Sequence, residues 1–236
     1  MIKQISKILN SDKLENSISY EFKNKNLLKE ALTHRSYLNE NPKWHLPHNE
    51  RLEFLGDAVL ELVVTEYLFE KFPKEPEGKL TALRAALVNY LMLAKIAKEI
   101  DLEKYILLSR GEARDFGRAR EVILANAMES LLGAIYIDGE YGAAGKFIKR
   151  FIIAHLDEVL AENLYRDPKS LLQEKTQASL KITPSYRLLG EQGPDHKKIF
   201  IVGVYLENKE LARGEGLSKQ DAEVEAAEKA LENFGN

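Results

Sequence analysis

A chain of 236 residues without cysteine has no disulfide framework, no thiolate metal site and no cysteine nucleophile. Its 44% hydrophobic content is enough for real cores and excludes a disordered chain. A net charge of −3 and a pI near 6.0 leave no bulk basic footprint for a nucleic-acid partner, so any such surface must be local. The opening "MIKQISKILNSDKLE" has no continuous apolar stretch, and no later segment approaches the roughly 20 apolar residues of a membrane span. The expectation is a soluble, cytoplasmic protein with no membrane partner.

Helical periodicity dominates residues 1–160. In "NLLKEALTHRSYL" the residues Leu27, Leu28, Ala31, Leu32 and Tyr37 lie close to one helical stripe. "ERLEFLGDAVLELVVTEYLFEKF" reads as a long apolar helix ended by Phe72-Pro73, because proline disfavours a helical residue before it. "EGKLTALRAALVNYLMLAKIAKEI" reads as one further helix, and "RGEARDFGRARE" as a charged loop with two glycines. "ILANAMESLLGAIYID", residues 123–138, is a buried helix, and "AAGKFIKRFIIAHLDEVLAENL" is the last helix of this half. The character changes around "YRDPKS", residues 165–170, where Asp167 or Ser170 can cap a helix with Pro168 at its first position. A short helix, "SLLQEKTQAS", then precedes strand-like runs "PSYRLLGEQ", "KKIFIVGVYLE" and "KELARGEG". "SKQDAEVEAAEKALENF" closes the chain as a helix. The predicted plan is an all-α domain over 1–160, a linker over 161–167, and a small α+β module, α-β-β-β-α, over 168–236.

Two of these helices carry polar groups on otherwise apolar surfaces. With Glu50 at 0° and about 100° per residue, Glu53 falls at about 300° and Asp57 at about 340°, an arc of roughly 60°. Leu52, Leu55, Val59, Leu62 and Val63 are assigned to the opposite, core-facing side, with Phe54 and Leu60 flanking the acids. With Asn126 at 0°, Glu129 falls at about 300° and Gly133 at about 340°. Gly133 leaves room for another backbone on that face. Carboxylates on so apolar a helix are costly unless protonated, paired or bound to a cation. Two helices crossing there would assemble Glu53, Asp57, Asn126 and Glu129 into one oxygen-rich cluster, a donor set suited to Mg²⁺ or Mn²⁺. A solvated face on which acids happen to align is the plain alternative.

Taken in order, the motifs resemble bacterial ribonuclease III. "NERLEFLGD" is similar to that family's signature stretch, with "FKNKNLLKEALTHRSY" before it, "LLSRGE" after it, and "ILANAMESLLGAIYID" at the second acidic motif. "SLLQEKTQ", "GPDHKKIF" and "GEGLSKQDAEVEAA" resemble a double-stranded-RNA-binding domain. The resemblance implies a homodimeric, helical endonuclease acting in RNA processing, ribosomal RNA processing included. It would cut both strands of double-stranded RNA to 5′-phosphate and 3′-hydroxyl ends with two-nucleotide 3′ overhangs. It places metal ligands on Glu53, Asp57, Asn126 and Glu129, with Glu53, Asp57 and Glu129 as catalytic residues. The implied cofactor is Mg²⁺, with Mn²⁺ as a substitute, and no organic cofactor is implied. Asn126 departs from the family's usual aspartate. Glu50 and Glu77 match further acids near the family's catalytic valley, and Glu77 reads better as a surface acid. His34 is expected to be structural or dimer-related, and His45 and His48 solvated.

By the same resemblance, Gln173 and Gln177 face a minor groove and His196 sits in the loop between the first two strands. Lys197 and Lys198 offer a positive patch, and Ser218 and Lys219 open the last helix, where N-terminal amides can meet phosphate. Residues 167–236 hold 10 Lys/Arg against 12 Asp/Glu, and Lys219-Gln220 stands where the family commonly has two basic residues. Modest affinity is expected from the module alone, with dimerisation adding avidity. The main competing function is a catalytically impaired dimer that only binds duplex RNA, because Asn126 removes one negative charge; a ribosome-associated structural protein is the third. Asparagine keeps a carbonyl oxygen that can ligate a metal, and three carboxylates remain, which favours the enzyme.

Overall fold

The computed structural model describes residues 11–114, 117–193 and 198–234. They form two compact units that divide between Tyr165 and Arg166, each with its own apolar core.

The first unit is helical: α1 (Ser11–Ile18), α2 (Lys25–Ala31), α3 (Arg35–Glu40), α4 (Glu50–Lys71), α5 (Glu77–Val88), α6 (Tyr90–Glu99), α7 (Arg118–Phe151) and α8 (Leu156–Ala161). α4 stops where Phe72 precedes Pro73. Its buried face is Leu52, Gly56, Val59, Leu60, Val63, Val64 and Leu68. Leu60 therefore belongs to the core rather than to the flank of the acids, and Leu62, assigned above to the core, is 58% exposed. The buried arc centres on Gly56, where α7 crosses, and this rotates the core away from Leu62.

The apolar run 77–100 is two helices, not one. Asn89 takes extended dihedrals (φ −68°, ψ 158°) and its side chain accepts from the Met92 N–H at 2.9 Å, capping α6. α7 spans 34 residues, but Glu140, with non-helical dihedrals (φ 60°, ψ −172°), kinks it into the two helices expected on either side of that residue. Beyond Phe151 the expected last helix breaks into a turn at Ile153–His155 and α8. Within 118–161 one 18-residue window is apolar enough by length and composition to cross a membrane, but 61% of that window is buried in the helical core.

Asp138 of α7 anchors the segment between α1 and α2. Its carboxylate accepts from the Tyr20 hydroxyl (2.8 Å) and from the N–H groups of Lys23 and Asn24 (2.9 Å each). Burial alone raises its pKa, yet these hydrogen bonds outweigh burial and hold the carboxyl below its ordinary value. A depressed folded pKa gives stability that is complete above the unfolded value of about 4 and lost as pH falls through the folded value. Asp138→Asn is expected to cost about 1–3 kcal/mol at pH 7 and to flatten the acid limb of stability. Urea unfolding of both proteins at pH 7 and pH 3 checks this; an equally steep acid limb in the variant contradicts it.

The second unit is α9 (Pro168–Leu180), β1 (Ser185–Gln192), β2 (Ile199–Leu206), β3 (Lys209–Gly216) and α10 (Lys219–Phe234). Asp167 caps α9 by accepting from the Ser170 N–H at 2.9 Å, with Pro168 in the first turn. The strands form an antiparallel sheet in the order β1-β2-β3. α10 seats on β3 through two glycines: a Cβ on Gly214 would lie 2.2 Å from the Ala222 carbonyl oxygen, and one on Gly216 would lie 2.5 Å from the Ala222 nitrogen. Leu172, Val204, Ala226, Ala227 and Ala230 fill the space between helices and sheet.

Candidate functional site

Two glycines set the crossing of α4 and α7. A Cβ on Gly56 would lie 1.8 Å from the Glu129 carbonyl oxygen, and one on Gly133 would lie 2.2 Å from the Leu52 carbonyl oxygen. No side chain fits at either place, so the two backbones touch. The buried Ser130 hydroxyl donates to the Asn126 carbonyl at 2.7 Å, with the carbonyl of Asn49, just ahead of α4, as a longer second acceptor at 3.4 Å. The start of α4 is thus tied to the α7 turn that carries Asn126 and Glu129.

Around this crossing Glu53, Asp57, Asn126 and Glu129 come together. Glu53 is half-buried and shares a side-chain hydrogen bond with Asn126. Burial first, then the charge of Glu50 and more weakly that of Asp57, raises the Glu53 pKa, and the Asn126 hydrogen bond opposes the rise. Glu129 is pushed up to about 8, by burial first and then by Asp57 and Glu53. Among the described residues no cationic side chain is a cause of either shift. Arg35 pairs with Glu50 at 3.3 Å, and Arg51 acts on Glu30 instead. Ionising these acids together is therefore costly on an oxygen-only donor set, a cost that a divalent cation relieves. In this arrangement no three Asp, Glu or His side chains among the described residues close into a metal shell.

The remaining candidates separate from this cluster by their partners. Glu77 opens α5, exposed, and accepts from the Thr81 hydroxyl at 2.9 Å. The His34 ring caps α3 by accepting from the Ser36 N–H at 3.3 Å, a structural task. His45 is exposed, whereas His48 is half-buried 3.8 Å from the Glu50 carboxylate rather than solvated.

Beside the acids, α4 presents Phe54 (82% exposed), Leu62 and Phe69 (71%). At about 100° per residue these fall within roughly 80° of one another, making one apolar stripe on solvent. Sequence reasoning missed both this stripe and Gly56. The signal for the stripe was the apolar residues left over once the core arc is centred on Gly56.

In the second unit Gln173 and Gln177 are exposed one turn apart on α9, and Gln177 donates to the Thr183 hydroxyl at 3.0 Å. Ser218 caps α10, accepting from the Asp221 N–H at 3.0 Å, and Lys219 is exposed beside it with its ammonium 5.9 Å from the Phe200 ring centre. Lys198 pairs with Glu191 at 2.9 Å, which offsets its charge. His196 and Lys197 lie outside the described residues. Lys219→Ala is expected to weaken binding of a duplex RNA several-fold and to flatten its salt dependence by somewhat less than about one unit of slope. Titrations at several salt concentrations read both quantities, and an unchanged slope removes Lys219 from phosphate contact.

The fold and site define a helical endoribonuclease carrying a double-stranded-RNA-binding module. The family model described as "Ribonuclease-III-like" matches residues 24–156, and "Double-stranded RNA binding motif" matches 168–234. A "Ribonuclease 3" of Nitratiruptor sp. is 46% identical over 220 residues, covering 93% of this chain and 95% of that protein. One from Enterococcus faecalis is 47% identical over 213 residues, covering 90% and 92%. The nuclease domain of ribonuclease III from Campylobacter jejuni, 48% identical, superposes with a TM-score of 0.56 over 62% of this chain and 95% of that one. The chain belongs to the ribonuclease III family.

Proposed function

We propose that this endoribonuclease is a divalent-metal-dependent homodimer that hydrolyses both strands of double-stranded RNA. Its products carry 5′-phosphate and 3′-hydroxyl ends with two-nucleotide 3′ overhangs, and its role is RNA processing. The observation that carries the reading is the uncompensated carboxylate cluster held by touching backbones. The apolar stripe beside it supports pairing of two copies, since exposed large apolar side chains aligned on one helix face mark an interaction surface. A region of the C. jejuni nuclease domain is likewise involved in dimer formation.

Glu53, Asp57, Asn126 and Glu129 would hold Mg²⁺ or Mn²⁺, which when bound supplies an activated water and charge neutralisation at the phosphodiester. Glu129 is fixed by the crossing, since its own carbonyl lies against Gly56. Asn126 orients Glu53 through their shared hydrogen bond and contributes a neutral oxygen. Exposed Asp57 closes the cluster from the solvent side. Gln173, Gln177, Ser218 and Lys219 position the duplex by its shape and phosphates, with His196, Lys197 and Lys198 assigned to the same task by resemblance.

The test is cleavage of a long RNA duplex against Mg²⁺ and Mn²⁺ concentration. Product is expected from the unmodified protein, and Asn126→Asp is expected to lower the metal concentration needed for half-maximal rate severalfold, because one added carboxylate strengthens cation binding. No cleavage at any metal level, with duplex binding intact, would establish the impaired dimer instead.

A further inference from the structure

A pocket of about 570 Å³ opens where α7 passes the end of α1. Its lining lies on residues 18–20 and on α7 from Gly139 to Arg150 and includes none of the acid-cluster residues, so this pocket is separate from that cluster. Three of its features point the same way. Gly142 costs a helix about 1 kcal/mol relative to alanine, yet no atom lies within 4 Å of where its Cβ would be. Gly139, by contrast, has a packing reason, since its Cβ would lie 2.4 Å from the Tyr20 hydroxyl. The bare backbone at 142 keeps the floor of the pocket flat and open.

The rim is cationic. Lys146 and Arg150 line the pocket one turn apart, and Lys146 has no ion pair among the described residues. Arg150 is steadied by the Ser19 hydroxyl at 2.6 Å, a neutral partner, and has no ion pair among the described residues. Asp138 of α7 is occupied by Tyr20, Lys23 and Asn24. The third feature is the apolar floor, on which Ile18 and Phe147 lie beside Ala143. The volume falls in the range of small-ligand sites, about 300–1,000 Å³.

We propose that this pocket binds a nucleoside monophosphate, its phosphate between Lys146 and Arg150 and its base over the open backbone at Gly142. A free nucleotide and the 5′-phosphorylated end of an RNA strand offer the same chemistry. The full chain is titrated by calorimetry in EDTA, which keeps cation-mediated capture at the acids out of the measurement. The probes are adenosine 5′-monophosphate, adenosine, inorganic phosphate, and short single-stranded RNAs with and without a 5′-phosphate.

Adenosine monophosphate is expected to bind at least about tenfold more tightly than adenosine or phosphate alone. Lys146→Ala and Gly142→Leu should each weaken it about tenfold or more, with the melting temperature unchanged or raised and Lys149→Ala without effect. A preference for the 5′-phosphorylated RNA assigns the site to strand ends, and binding of the nucleotide alone assigns it to the free ligand; both uphold the pocket. No binding of adenosine monophosphate at about 10 mM, or binding that survives both variants, overturns it. Neither result bears on the metal-dependent cleavage proposed above.

Discussion

Replacing Glu129 by glutamine is expected to abolish cleavage of duplex RNA while leaving the fold and duplex binding in place. The side chain keeps its size and loses only its capacity to ionise. Altering groups that merely support a metal's ligands typically costs 10–100-fold, so removing a ligand charge should lower the rate by at least about 100-fold. The same change has a second signature that needs no activity. In the metal-free protein the Glu129 carboxyl is raised from 4.5 to about 8, by burial first and then by Asp57 and Glu53. A raised acid holds its proton in the folded state and releases it in the unfolded one, so its contribution to stability falls as pH rises between those values. Glutamine cannot ionise, so above about pH 8 the variant should melt at or above the temperature of the unmodified protein when no divalent cation is present. Added Mg²⁺ should then raise the melting temperature of the unmodified protein and leave the variant unmoved. Equal cleavage rates, or an equal response to Mg²⁺, would remove Glu129 from the metal site.

Gly56→Ala is expected to be the most damaging one-carbon addition to the helical unit. Helix propensity favours alanine over glycine by about 1 kcal/mol. Against this, the new methyl would stand 1.8 Å from a backbone oxygen, which no side-chain rotation can move away. The two longest helices must separate, an overpacking cost at or above the upper end of the usual 1–3 kcal/mol. A net loss of about 2 kcal/mol or more corresponds to roughly 4–8 °C in melting temperature for a protein of this size. Activity should fall further than stability does, because Glu129 is the residue displaced. Gly142→Ala is the matched control: it meets no atom within 4 Å and should stabilise by up to about 1 kcal/mol. If the two alanines behave alike, backbone contact does not set the crossing.

Which parts of this were legible in the sequence follows from what each signal encodes. Spacing placed Glu53 with Asp57, and Asn126 with Glu129, on single helical faces, and Gly133 announced a close approach. Gly56 did not, because its place inside "LGD" reads as motif rather than as packing. The orientation of α4 was misjudged at Leu60 and Leu62, since an apolar helix with two buried-looking sides gives no unique core arc until its partner is known. Periodicity ran unbroken through 77–100, so the turn at Asn89 was hidden, and only its side-chain cap makes the break visible. The break at Glu140 was readable, because the glycines and charged residues of "DGEYGAAG" separate the two apolar stretches that the kink at φ 60° divides. The order of elements in the second unit was readable because prolines, glycines and β-branched residues punctuate it. The glycines that seat α10 on β3 were not read as packing, since turn glycines and packing glycines look alike in one dimension.

The contact between Gly56 and Gly133 separates two properties that are usually entangled. The distance between the walls of the acid cluster is dictated by main-chain atoms, which every substitution at the polar positions leaves untouched. A carboxylate can therefore become a carboxamide at residue 126 without changing how far apart the walls stand. Chemistry at this site is free to drift by single side chains, while its dimensions are inherited as a property of two residues that bear no chemistry at all.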